Sequence, residues 1–153
     1  MEQPLLPLIF SYVGMTLMLA LGCIGSAVGV TMTGNTTIGA LKKNPEMFGQ
    51  SMILCALPST QGLYSFAGFF LMLSALKRLN GIITLSQGLA LFAAGTALGF
   101  TAYFSALRQA SLCSNGITEI SNGQDVFGKT MILAVFPELY AILAFAATFL
   151  ALP

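Results

Sequence analysis

Charge is missing from four long stretches of this chain and gathers in the gaps between them. Gln3 to Leu41 is uncharged, and Lys42, Lys43 and Glu46 follow with Asn44-Pro45 as a breaker. Met47 to Leu76 is uncharged, and Lys77 and Arg78 follow with Asn80-Gly81. Leu79 to Leu107 is uncharged, and the interval from Arg108 to Lys129 is the most polar, with Ser-Asn-Gly turn chemistry around Glu119 and Asp125. From Thr130 to Pro153 the chain is apolar or uncharged except at Glu138. Crossing a bilayer takes about 20 residues in a helix. The pattern therefore predicts four membrane-spanning helices, over 8–33, 48–76, 82–112 and 127–151.

Composition agrees. Of 153 residues, 56% are hydrophobic and 7% charged, whereas soluble domains carry about 25% charge. The mean hydropathy is +0.87. The apolar runs are continuous, which excludes the alternating ~10-residue segments of a transmembrane barrel. The net charge of +1 points to no nucleic-acid partner. Cys23, Cys55 and Cys113 are scattered without metal-type spacing and read as small hydrophobes. The first run has no positive flank, Glu2 being its only charge, and reads as a retained span rather than a cleaved signal.

The chain repeats itself. Phe-Gly-Gln-Ser-Met-Ile-Leu begins at Phe48, and Phe-Gly-Lys-Thr-Met-Ile-Leu begins at Phe127. In the same register Pro58 pairs with Pro137, Phe66 with Phe145 and Leu71 with Leu150. The fold class is thus all-α, two fused transmembrane hairpins over residues 1–79 and 80–153. Because an even number of spans separates the copies, the repeats are parallel, unlike inverted-repeat transporters. That suits units set side by side around an axis. Helices 1 and 3 carry small-residue stripes, including Gly25-x-x-x-Gly29 and Gly95-x-x-x-Gly99, which let backbones approach in lipid. They are expected to form a tight inner layer, with the bulkier helices 2 and 4 facing lipid. The distribution of Lys and Arg places the 1–2 and 3–4 loops in the cytoplasm and both termini outside.

Each even helix has an internal proline, which bends a helix and loosens a backbone acceptor. Inside the spans the polar residues with ligand chemistry are few: Ser59, Thr60, Gln61 and Tyr64 in helix 2, Gln109 in helix 3, Glu138 and Tyr140 in helix 4. A carboxylate mid-membrane costs about 2.5–3.5 kcal/mol on insertion scales and marks function by default. Thr60 and Gln61 point about 100° apart, with Tyr64 one turn beyond on the same face. A hard cation such as Na⁺ takes several oxygen ligands, and the available ones are the Thr hydroxyl, two Gln carbonyls, the carboxylate and a carbonyl beside Pro58. One carboxylate neutralises one monovalent ion, and a Tyr hydroxyl can donate to it. A proton site would need only a carboxylate in apolar surroundings, so the oxygen density favours a metal cation over H⁺. Gln and Thr can also be plain interhelical glue. Arg108 is expected to snorkel to the headgroups.

Four segments together resemble one family: Gly25-Ser26-Ala27-x-Gly29-Val30-x-Met32-Thr33-Gly34, Leu57-Pro58-Ser59-Thr60-Gln61-Gly62-Leu63-Tyr64, Phe104-Ser105-x-x-x-Gln109 and Glu138-x-Tyr140-Ala141-Ile142-Leu143. Over essentially its whole length the chain resembles the membrane-rotor proteolipid (the K or c subunit) of V-type ATPases and ATP synthases, in particular the bacterial sodium-translocating kind. The resemblance implies a non-catalytic subunit in the inner membrane of a bacterium. Many copies would form a ring with the odd helices inside, working against a stator subunit that carries an arginine and turning with a central stalk. It implies no cofactor, Na⁺ as the carried ion and H⁺ as the alternative. The implied ion ligands are the Leu57 main-chain carbonyl, the Thr60 hydroxyl, the Gln61 and Gln109 side chains and the Glu138 carboxylate, with Tyr64 locking the carboxylate. Glu138 aligns with Ser59 in the internal repeat, so one site is expected per two hairpins. Pro137 before the glutamate and Arg108 beside Gln109 depart from the family pattern. A non-rotary tetraspan protein is the remaining reading.

Overall fold

A computed structural model describes residues 5–153; Glu2 and the start of the first uncharged run lie outside the described residues. The described chain is helical throughout: α1 Leu5–Leu41, a 3₁₀ turn Pro45–Met47, α2 Phe48–Ala56, a 3₁₀ turn Leu57–Ser59, α3 Thr60–Arg78, α4 Leu85–Ser121 and α5 Phe127–Leu150. By length and apolarity α1, α4 and α5 can each cross a membrane. The stretch expected as the second span is helical as the run α2–turn–α3, but it is not a single α-helix and neither piece is by itself long and apolar enough to cross. Pro58 sits in the 3₁₀ turn, where its missing N–H and its ring disfavour the regular i→i−4 ladder.

Two boundaries differ from expectation. α1 and α4 each run 37 residues, about 55 Å at 1.5 Å per residue, well beyond the ~30 Å hydrocarbon layer. α1 does not stop near residue 33, because Thr33, Thr37 and Ala40 are buried and packing carries the helix on; the Thr36 and Thr37 hydroxyls are satisfied by the carbonyls of Met32 and Thr33. In α4 the polar stretch after Arg108 stays helical because Cys113, Gly116, Ile117 and Ile120 are buried. The two Ser-Asn-Gly triplets therefore behave differently. Gly116 is packed beneath Thr130 and stays helical. Gly123 lies in open space, takes φ +86°, and ends the helix, with Gln124 N–H closing back onto the Glu119 carbonyl. At the other end Thr84 caps α4 in a reciprocal pair with Gln87.

The small-residue stripes meet each other. A Cβ on Gly25 would lie 2.7 Å from Tyr103 Cα, and one on Gly95 would lie 2.5 Å from the Gly14 oxygen. Gly88 meets the Pro7 backbone in the same way. These pairs step together along both chains, so α1 and α4 run in the same direction, backbone on backbone, in near register with the repeat. Around this pair lie two apolar clusters. One holds Met15, Met18, Met72, Leu91 and Leu98, and the other holds Met47, Leu54, Cys113, Ile117 and Ala134. The polar residues of α3, α4 and α5 lie between them along the helices. Bulky side chains of α3 and α5 point outward, among them Phe66, Phe70, Ile132, Phe136 and Leu143.

Candidate ion-binding site

The site begins at the two prolines. At the first, the Thr60 N–H and its Oγ1 both reach the Leu57 carbonyl, the hydroxyl at 3.1 Å. α1 holds this bent backbone from behind. Thr33 Oγ1 donates to the Cys55 carbonyl at 3.0 Å, and Ser26 Oγ accepts the Gly62 N–H at 2.8 Å.

At the second proline α5 remains one helix; Pro137 takes the donor from the Leu133 carbonyl, and α4 braces the same stretch through two neighbouring carbonyls. Ser105 Oγ donates to the Pro137 carbonyl at 2.7 Å, and Gln109 Nε2 to the Ala134 carbonyl at 2.9 Å. Ser105 and Gln109 are one helical turn apart on α4, so a single face of that helix secures the loosened segment. The carboxylate next to Pro137 is thereby fixed in place. Pro137, a departure from the family pattern, is accommodated without breaking α5.

Glu138 is gripped at both oxygens. Tyr64 Oη donates to Oε1 at 2.7 Å, and Gln109 Nε2 donates to Oε2 at 3.0 Å. Gln61 Nε2 donates to Gln109 Oε1 at 2.8 Å and to Ser105 Oγ at 3.1 Å. Both glutamines are fully buried. Their four amide protons are thus all engaged, and the Gln61 Oε1 is left buried without a hydrogen-bond partner. An unsatisfied buried acceptor costs about 1–3 kcal/mol. One carboxylate and one spare amide oxygen in a wall of buried glutamines suit a small monovalent cation better than a divalent one. Tyr64 is held in turn by stacking on Phe145, centroids 6.2 Å apart.

Of the residues singled out from sequence, Gln61, Tyr64, Gln109 and Glu138 form one hydrogen-bonded cluster joining α3, α4 and α5. Leu57 and Thr60 sit together at the helix junction, Thr60 one turn from Tyr64, and neither bonds the carboxylate directly. Tyr140 is not in the cluster; it is exposed and faces a groove between α4 and α5. Ser105 was not among the expected ligands, yet it ties Gln61 to α5. Its spacing of four from Gln109 was the available signal. Exchanging Tyr64 for phenylalanine removes one charge-assisted bond, worth about 1.5–3 kcal/mol. A roughly tenfold or greater acceleration of carbodiimide modification of Glu138 is expected, measured as the labelling rate of the purified protein.

Known proteins resemble the chain over most of its length. The family model for the C subunit of ATP synthase matches twice, at residues 13–72 and 92–151. The second match is displaced from the first by the same interval that separates Phe48 from Phe127. The V-type sodium ATPase subunit K of Enterococcus hirae is 36% identical over 143 residues, 94% of this chain and 90% of that protein. The A-type ATP synthase subunit K of Methanocaldococcus jannaschii is 38% identical over 136 residues, 89% of this chain and 58% of that longer protein. With its long apolar helices, the chain belongs to the ATP synthase C-subunit family and is a non-catalytic, multi-pass membrane subunit.

Proposed function

We propose that this chain is the rotor-ring subunit of a V-type ATPase or ATP synthase and carries Na⁺ across the membrane on Glu138. The observation that carries the proposal is the hydrogen-bonded cluster at that residue: a half-buried carboxylate held at both oxygens, in one network with a buried amide oxygen that has no hydrogen-bond partner. In the loaded site the ion's ligands are the Glu138 carboxylate, the side chains of Gln61 and Gln109, the Thr60 hydroxyl and the Leu57 carbonyl. Tyr64 holds the carboxylate closed over the ion. The name of the Enterococcus relative, a sodium ATPase subunit, supports the choice of ion.

The chain is read as two fused hairpins, residues 1–79 and 80–153, of which only the second bears a carboxylate at the repeat position of Glu138, where the first has Ser59. The doubled family match and the parallel packing of α1 on α4 support this division. Copies stand side by side around an axis with α1 and α4 inside. At the stator, an arginine pairs with Glu138 and displaces the ion, and rotation carries the site between two half-channels. The membrane potential contributes about 2.3 kcal/mol per charge per 100 mV. The loops at Lys42–Glu46 and Asn122–Val126 face the cytoplasm and dock on the central stalk; Lys43 Nζ donates to Asn122 Oδ1 across them at 3.3 Å. The host membrane is that of a bacterium.

Labelling Glu138 with a carbodiimide at fixed pH tests the ion. Sodium is expected to protect the carboxylate, and Gln109→Ala is expected to raise the Na⁺ concentration needed by roughly tenfold or more, the loss of a bond to a charged group. Labelling indifferent to Na⁺ would assign the ring to H⁺. Unchanged protection in the Gln109 variant would return that residue to packing alone.

A further inference from the structure

Arg108 is exposed on α4 and makes no hydrogen bond or ion pair among the described residues. It lines a groove of about 530 Å³ between α4 and α5, otherwise walled mainly by apolar side chains such as Phe104, Leu133 and Phe136. Arg108 packs beside residues about two turns inside the start of α5, within the expected hydrocarbon layer. A guanidinium at such depth needs a partner.

The repeat identifies what occupies the groove. Thr101, Phe104 and Arg108 correspond to Gly22, Gly25 and Gly29, and Phe136 and Tyr140 correspond to Leu57 and Gln61. In the first repeat the equivalent groove is filled by α4 of the same chain. The face of α4 that fills it includes Ala102, Ala106 and Ala110, all fully buried. The counterparts of those three on α1 are Cys23, Ala27 and Thr31, and all three are exposed. Each chain thus has one unfilled groove on its second repeat and one unused filling face on its first. A second copy's α1 fits the open groove as α4 fits the closed one.

The fit is not the same at every position. Where Gly25 and Gly29 meet α4 within the chain, the open groove has Phe104 and Arg108. A neighbouring α1 is therefore held further off, and the guanidinium lies in the seam. A Cβ at Gly29 would be 3.3 Å from Ala110 Cβ, and the corresponding pair between copies is Arg108 and Thr31. One turn along α1 toward the loop, the direction in which an arginine snorkels, is Asn35. Thr31 and Asn35 are exposed, line one shallow pocket on α1 and have no hydrogen bond of their own among the described residues.

We infer that Arg108 of each copy donates hydrogen bonds to Thr31 and Asn35 on α1 of the next copy, a polar clamp across the seam between subunits. The inference rests on the ring reading. It makes Arg108 a determinant of assembly rather than of ion binding.

The test uses the full chain in membranes. In a Cys23→Ser background, Thr31→Cys combined with Arg108→Cys is expected to give a ladder of cross-linked multimers with a bifunctional thiol reagent about as long as an arginine side chain, since the seam between copies is wider than the 3.3 Å spacing of the equivalent pair within the chain. In parallel, Arg108→Ala and Asn35→Ala are each expected to lower the association constant of the detergent-solubilised oligomer about tenfold or more, the loss of a charge-assisted bond. The double variant is expected to lose little beyond Arg108→Ala alone. If the unmodified chain forms no symmetric oligomer, the ring reading itself fails. If the oligomer forms but the ladder is absent, or the two alanine effects simply add, the clamp is overturned. If Arg108→Ala instead abolishes retention of phosphatidylglycerol by the oligomer while the effects add, the arginine serves a lipid phosphate, and the clamp is again overturned.

Discussion

Exchanging Glu138 for glutamine is expected to abolish Na⁺ transport while leaving the helical fold and the oligomer in place. The amide has the shape of the carboxylate and keeps one carbonyl oxygen, so the packing around Pro137, Ser105 and Ala134 is undisturbed. What changes is charge. Tyr64 and Gln109 both approach as donors, and an amide presents one acceptor oxygen against those two. More decisively, a bound cation would have no counter-charge. An uncompensated charge at mid-membrane costs about 2.5–3.5 kcal/mol even on insertion scales, which is roughly a hundredfold or more in site occupancy. Uptake of labelled Na⁺ by vesicles carrying the whole complex is the measurement, and background uptake is the expected result. A variant that forms the oligomer and still transports at the normal rate would remove Glu138 from the mechanism.

The sequence made that carboxylate conspicuous because lipid leaves few reasons for one. The partition of charge into loops likewise located all four helical runs, since insertion energetics act on each segment separately. The ends of α1 and α4 were less legible. Beyond the membrane a helix continues if its next turn packs, and packing at Cys113, Ile117 and Ile120 depends on what α5 brings alongside. The same local triplet ended a helix at Gly123 and did not at Gly116, so turn chemistry alone could not decide.

At the site, side chains separated in the sequence were legible as types and not as a network. Gln61, Tyr64, Gln109 and Glu138 could be named, but which atom faces which is set by the positions of α3, α4 and α5. Tyr140 illustrates the limit. It lies two residues from Glu138, about 200° around the helix, and falls on the opposite side, toward the open groove. Ser105 shows the converse, a residue whose role comes from the Pro137 carbonyl that the packing of α5 on α4 brings within its reach.

Among the packing residues, Gly95→Ala is expected to be strongly destabilising, although alanine is the better helix former by about 1 kcal/mol. The added methyl would lie 2.5 Å from the Gly14 oxygen and 2.6 Å from its carbonyl carbon. Both are backbone atoms of α1, and neither can rotate away as a side chain would. Relief requires the two long helices to separate along their shared face, where Gly14, Gly25, Gly88 and Gly99 make contacts of the same kind. Overpacking typically costs about 1–3 kcal/mol, and separating this seam places the variant at or above that range. In lipid no hydrophobic drive reseals two helices once close packing is lost. Gly39→Ala provides the comparison, because nothing lies within 4 Å of its would-be Cβ; that variant is expected to be neutral or slightly stabilised. Thermal unfolding of both proteins in the same detergent, followed by far-ultraviolet circular dichroism, distinguishes them. Equal melting temperatures would mean that the α1–α4 contact is not the backbone-to-backbone seam on which the fold depends.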